Sequence, residues 1–158
     1  MTAKTYHLAQ VNVSRMLAPL HDPIMAEFVA QLKSINDLAD RTPGFVWRLK
    51  TEEGNATSIR AYEDEQILFN LSVWESIEAL SQFVYRSQHG QAMRDRKQWF
   101  SKSESASMAL WWIPVGHIPT VDEAKERLQH LQECGESAYA FSFQKRFLPQ
   151  DLSQMLLL

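Results

Sequence analysis

Residues Phe69–His89 read FNLSVWESIEALSQFVYRSQH, and this stretch frames the reading of the whole chain. It opens as a strand, turns at Glu75-Ser76 into an aromatic-rich helix, and ends in a histidine. Side chains alternate along a strand, so Asn70, Ser72 and Trp74 share one face, and Phe69, Leu71 and Val73 share the other. One face therefore presents an amide, a hydroxyl and an indole side by side in an otherwise apolar element. A mostly apolar wall with a few placed polar groups is what a small-molecule pocket requires.

Working outward, TYHLAQVNV at Thr5–Val13 alternates as a first strand, with Leu8, Gln10 and Asn12 on one face. Asp22 and Pro23 open a helix that runs to about Asp40, an N-cap acceptor followed by a residue that needs no N–H. Its apolar stripe is Met25, Phe28, Val29, Leu32, Ile35 and Ala39, and Thr42-Pro43-Gly44 stops it. Phe45–Leu49 reads as a strand, and Thr57–Tyr62 as its continuation or its partner across the Gly54-Asn55 turn. Ile67–Trp74 is the next strand, Ser76–Tyr85 a helix, and Gln88–Phe100 a second helical stretch.

MALWWIP at Met108–Pro114 is apolar on both faces, as a central strand is. Thr120 and Glu123 form a capping box for a helix through Gln132, ended by Gly135. Tyr139–Phe143 reads as a last, aromatic strand, and the terminal MLLL as a frayed tail or a contact segment. The order β-α-β-β-α-β, with an extra C-terminal α-β, predicts an α+β, ferredoxin-like antiparallel sheet with helices on one face, as a single domain over residues 1–158. A sheet covered on one side needs a partner on the other, so a homodimer is expected.

Composition narrows the class. The 158 residues are 45% hydrophobic and 22% charged, as in ordinary globular proteins. A net charge of -3 and a pI near 5.9 argue against a dedicated binder of nucleic acid or of an anionic membrane. No apolar run approaches membrane-spanning length. The single cysteine, Cys134, cannot form an internal disulfide. A cytoplasmic protein is the expectation.

VWESIEAL followed by FVYRSQH resembles the strand-to-helix signature of the dimeric α/β-barrel superfamily, which includes the antibiotic-biosynthesis (ABM-type) monooxygenases. More closely, LAQVNVSRMLAPL, PGFVWRL, NLSVWES, FVYRSQH, Trp99-Phe100 and LWWIPVGHIPTVDEAKERLQHL resemble a bacterial family of that superfamily classed as a domain of unknown function. The wider resemblance implies a dimeric barrel and chemistry without a cofactor. Asn70 and Trp74, four apart, match the pair of cofactor-independent monooxygenases that oxidise electron-rich phenols with dioxygen. Asn12, Trp74 and His89 are similar in type and element to the residues of haem-degrading relatives, although His89 lies further beyond Trp74.

Each candidate has an ordinary alternative. His89 could accept a phenol proton or ligate haem iron, or simply be hydrogen-bonded at a helix start. With no second His or carboxylate at ligand spacing, a non-haem metal is not expected. Trp47, Trp74 and Tyr85 are pocket candidates, and aromatics are also the usual core. Asn12 and Asn70, depleted types within strands, could hold a substrate oxygen together with Ser72, or satisfy each other across strands. Arg48 could meet an anionic group or lie exposed at a sheet edge.

Three functions follow: a cofactor-independent monooxygenase with Asn70, Trp74 and His89 as catalytic residues, a haem-binding or haem-degrading protein, or a non-catalytic ligand-binding or scaffold protein. The ligand would be a small aromatic or amphipathic molecule. Mutual satisfaction of Asn12 and Asn70 would favour the non-catalytic reading.

Overall fold

The computed structural model describes residues 5–19, 21–50, 62, 66–88, 99–101 and 106–156. Four strands, β1 (Tyr6–Arg15), β2 (Phe45–Arg48), β3 (Ile67–Trp74) and β4 (Met108–Pro114), form one sheet in the order β2-β3-β1-β4. All three pairings are antiparallel, which is the ferredoxin-like order. Helices α1 (Ala26–Arg41) and α2 (Ile77–Gln88) make the crossovers, and α3 (Val121–Cys134) and α4 (Pro149–Leu156) follow β4.

Local chemistry accounts for the helix ends. Asp22 Oδ1 accepts the Ile24 N–H at 3.0 Å, and Pro23–Met25 form a 3-10 turn before α1 takes over at Ala26. The expected helix thus starts at Pro23, but its first turn is wound more tightly. Gly44 has φ +90, and a Cβ placed there would lie 2.5 Å from Ala79 Cβ, so glycine lets the α1–β2 turn rest against α2. Thr120 Oγ1 accepts the Glu123 N–H at 3.1 Å, the expected cap of α3, and Gly135 at φ 79 ends that helix.

The two faces of the sheet carry separate cores. On the first, Leu8, Trp74, Leu110 and Trp112 pack with Ala39 of α1 and with Ile77 and Leu80 of α2. On the second, Ala9, Val11, Leu71, Val73, Trp111 and Ile113 pack against Ala124, Leu128 and Leu131 of α3. The βαββαβ core carries its helices on one face as expected, and α3 adds a layer on the other. Its apolar stripe was legible in the sequence, but the surface it covers was not. The expectation of a sheet-to-sheet homodimer rested on a bare second face. That face is buried within the single chain, so covering it supplies no drive to dimerise.

The C-terminal segment differs from the expected strand. Phe141 exchanges both backbone hydrogen bonds with Leu110, each at 2.8 Å, but the pairing is one isolated rung. Ser137 and Ser142 side chains accept the N–H groups of Tyr139 and Gln144, at 3.2 Å each, and bend the chain on both sides of that rung. The segment then returns to the first face, where Phe143, Phe147 and Leu152 pack against its core and the Trp112 indole donates to the Phe147 carbonyl at 2.9 Å. The terminal leucines, read as a tail, begin inside α4.

Phe100 forms an antiparallel bridge with Met16, so the helical stretch expected to run through it ends earlier. The strand expected over residues 57–61, the helix expected over residues 89–98 and His89 itself lie outside the described residues.

Candidate functional site

The helix-side face of the sheet carries a polar band between two apolar clusters. The β1–β3 register sets Gln10 opposite Ser72 and Asn12 opposite Asn70, all on that face. One end of the band abuts the cluster of Leu8, Trp74 and Leu110. Beyond the other end, Phe28 and Leu32 of α1 and Leu68 of β3 belong with Met16, Met25 and Trp99.

Five side chains in the band form one chain of hydrogen bonds. The Trp74 indole donates to Ser72 Oγ at 2.9 Å. Gln10 Nε2 donates to Ser72 Oγ at 2.9 Å and to Asn70 Oδ1 at 2.8 Å. Asn12 Nδ2 donates to Gln10 Oε1 at 2.9 Å and, at 3.3 Å, to Asn70 Oδ1. Gln10, Ser72 and Trp74 are buried, whereas Asn12 and Asn70 are half-buried, so the chain runs from the core toward accessible space. In a low-dielectric setting such a network holds its members in fixed orientation.

Two groups are left over. An Asn side chain offers two donors and one carbonyl acceptor. Asn70 uses its oxygen twice, which leaves its Nδ2 group without a partner among the described residues. Asn12 uses its Nδ2 and leaves its Oδ1 equally unpaired. The accessible end of the band therefore presents a donor beside an acceptor. None of the five side chains titrates near neutral pH, so the network can orient an oxygen-bearing group but does not take a proton from it.

The structure joins Asn12, Asn70, Ser72 and Trp74 and gives Trp47, Arg48 and Tyr85 other surroundings. Trp74 is 1% exposed and lies 5.2 Å from Phe83 in a stack and 5.3 Å from Phe45 edge-on, so only its N–H reaches the band. A register shift between Phe45 and Trp47 turns Trp47 to the opposite face, where it packs against the core that includes Leu71 and Val73. Trp47 therefore cannot line a site with Trp74. Arg48 does face the same side as Ser72, but it grips Asp40 of α1 through Nε at 2.8 Å and Nη2 at 3.3 Å. That pair ties β2 to α1 and spends the guanidinium on structure. Tyr85 is 65% exposed on α2. Gln10, the hub of the network, was not singled out; the signal was its sharing a face with Asn12, which gained meaning only once the register set it against Ser72.

A second polar cluster holds α3 to the other face. The Trp111 indole donates to Glu123 Oε2 at 3.0 Å, and His117 Nε2 meets Glu123 Oε1 at 2.7 Å. Burial by itself would raise the Glu123 carboxyl. The hydrogen bonds from His117 and Trp111, with the nearby Arg127 charge, outweigh it and hold the group below its ordinary value. Arg127 lies 3.8 Å over the Tyr139 ring and donates to the Tyr139 carbonyl at 2.8 Å. Among the described residues no group of three or more His, Cys, Asp or Glu could hold a metal ion. No helix among them is long and apolar enough to cross a membrane.

Comparison with solved structures finds distant likenesses. SnoaB of Streptomyces nogalater, a cofactor-independent oxygenase, is 13% identical with a TM-score of 0.42, over 71% of this chain and 95% of that one. A putative antibiotic biosynthesis monooxygenase of Chloroflexus aurantiacus is 11% identical at 0.41, over 73% and 98%. The NE2512 protein of Nitrosomonas europaea, of unknown function, is 12% identical at 0.41, over 73% and 95%. Likeness of this degree assigns no activity. No curated protein matches the sequence. Residues 7–156 match the family described as Domain of unknown function (DUF3291), and the chain is a member of that family.

Proposed function

We propose that the protein binds a small oxygen-bearing aromatic or amphipathic molecule at the accessible end of the polar band, with Asn70 and Asn12 as the contacting groups. One observation carries this reading: a buried hydrogen-bond chain fixes both amides yet leaves Asn70 Nδ2 and Asn12 Oδ1 unpaired at its half-buried end. Both groups reach solvent, so a ligand can take the place of water on them. Gln10, Ser72 and Trp74 act as positioning residues. The five side chains of the network include no group that titrates near neutral pH, which favours binding over catalysis.

A cofactor-independent monooxygenase is the second reading, favoured by the linkage of Asn70 to Trp74 through Gln10 and Ser72 on one face. In that form the ionised substrate supplies electrons to dioxygen, and His89 takes the phenolic proton. Self-association, expected from the sequence, would use a surface other than the sheet face that α3 occupies.

The test is a thermal-shift panel of naphthols, polycyclic quinols, flavins and haemin on the wild type and on Asn70→Ala. A ligand at a hundredfold excess over its Kd stabilises by about 2.7 kcal/mol. The proposal expects a shift from a phenolic ligand that Asn70→Ala removes. A shift that survives Asn70→Ala places the site elsewhere. Dioxygen uptake with the same ligand separates the second reading from the first.

A further inference from the structure

The hydrogen-bond chain of the polar band can run in either direction, and Ser72 decides which. The Trp74 indole only donates, so its bond to Ser72 Oγ at 2.9 Å is fixed in sense. With Gln10 Nε2 also donating to Ser72 Oγ at 2.9 Å, the hydroxyl oxygen accepts twice. Its own proton then has no acceptor among the described residues, although Ser72 is buried. A buried donor without an acceptor is uncommon in folded proteins and destabilising.

A half-turn of the carboxamides of Gln10, Asn12 and Asn70 removes that defect. The oxygen and nitrogen of a carboxamide stand in equivalent positions, so the contacts of Gln10, Asn12, Asn70 and Ser72, from 2.8 to 3.3 Å, keep their heavy-atom distances while their sense reverses. Ser72 then accepts from Trp74 and donates to Gln10 Oε1. Asn70 Nδ2 donates to Gln10 Oε1 and to Asn12 Oδ1, and Gln10 Nε2 donates to Asn12 Oδ1. Every contact is still a hydrogen bond, and the serine proton has gained an acceptor. Turning only one or two of the amides would set nitrogen against nitrogen or oxygen against oxygen, so the three turn together. The half-buried end still offers a donor beside an acceptor, but in inverse order: Asn12 presents the donor and Asn70 the acceptor.

We infer that the band is a polarity switch, with Ser72 as its pivot and the reversed arrangement as its resting state. The two arrangements differ by one hydrogen bond, a ratio of about five to one. A ligand with its own order of donor and acceptor draws the network to whichever arrangement matches it, at no more than about that fivefold cost. The site therefore accepts aromatics bearing hydroxyl and carbonyl groups in either order. This use in recognition rests on the proposed binding function, whereas the reversal belongs to the free protein.

Two substitutions lock opposite arrangements, because a carboxylate only accepts. Asn70→Asp admits only the first, with Gln10 Nε2 turned to Ser72. Asn12→Asp admits only the second, with Gln10 Nε2 turned to Asn12. Nuclear Overhauser contacts of the Gln10 amide protons read the orientation. In the wild type, contacts to the Asn12 β protons should exceed those to the Ser72 β protons. Asn70→Asp should lose the Asn12 contacts, and Asn12→Asp the Ser72 contacts. Wild-type contacts that favour Ser72, or one orientation in all three proteins, overturn the switch. Titration with β-naphthol judges the binding function separately. Both carboxylate variants present two acceptors at the accessible end and should bind about tenfold more weakly, the loss of one hydrogen bond. A wild type that binds no naphthol overturns the use in recognition, and the amide contacts still decide the switch.

Discussion

Replacing Gln10 with leucine separates the orienting role of the network from any part it plays in holding the fold. Gln10 is 3% exposed and takes part in three side-chain hydrogen bonds, to Asn70, to Ser72 and from Asn12. At about 1 kcal/mol each, their loss totals about 3 kcal/mol. No partner is fully orphaned: Ser72 keeps the Trp74 indole, and Asn12 and Asn70 keep each other at 3.3 Å. Leucine is close to glutamine in size, and Leu8 and Leu110 on the same face give it apolar neighbours. Burying an alkyl group in place of an amide returns about 1–2 kcal/mol. The net expectation is a loss of about 1–2 kcal/mol, a drop in Tm of about 5 °C for a chain of this size. Urea unfolding followed by tryptophan fluorescence measures it, with an unchanged m-value as the check that the unfolding transition itself is the same. The affinity of a bound phenol should fall at least tenfold, since both amides lose their orientation. A loss above about 4 kcal/mol would show that the network is structural. Full retention of phenol affinity would refute the claim that Gln10 positions Asn70.

Other perturbations read separate parts of the structure. Trp74→Ala, at a 1% exposed indole between Phe45 and Phe83, should destabilise by about 3–5 kcal/mol in the same urea assay. Gly44→Ala meets both a positive φ and the Ala79 methyl at 2.5 Å, so it should destabilise by about 2 kcal/mol or more by calorimetry. The Glu123 carboxyl is held below its ordinary value of 4.5 in the folded protein. Its contribution is fully present above that value and is lost as pH falls through the lower folded one, so Glu123→Gln should flatten the acid limb of stability against pH. An acid limb identical to the wild type's would remove Glu123 from that linkage.

The fold was largely legible because its signals are local. Asp22-Pro23, Thr120 with Glu123, Gly135 and the period-two alternation of β1 and β3 each mark an element by backbone chemistry that acts within a few residues. Placement of whole elements was not local. The stripe Ala124-Leu128-Leu131 announced a buried helix face without saying which side of the sheet it would cover, and so the bare-face argument for a dimer looked sound. The site was half legible for the same reason. Asn12, Asn70, Ser72 and Trp74 could be grouped from alternation alone, but Gln10 became the hub only through register. Trp47 moved to the other face because one irregularity in β2 reverses the alternation after it. Arg48 and Tyr85 could not be placed without knowing that Asp40 lies across from the first and that the second points outward.

The most direct test of the ligand site is the NMR response of the side-chain amides of Gln10, Asn12 and Asn70 to added β-naphthol. The account predicts saturable shifts concentrated on the Asn70 and Asn12 amides, with Gln10 following as the network tightens. Naphthol-induced shifts confined to the Trp111 and Tyr139 side of the sheet, with those amides unmoved, would contradict it.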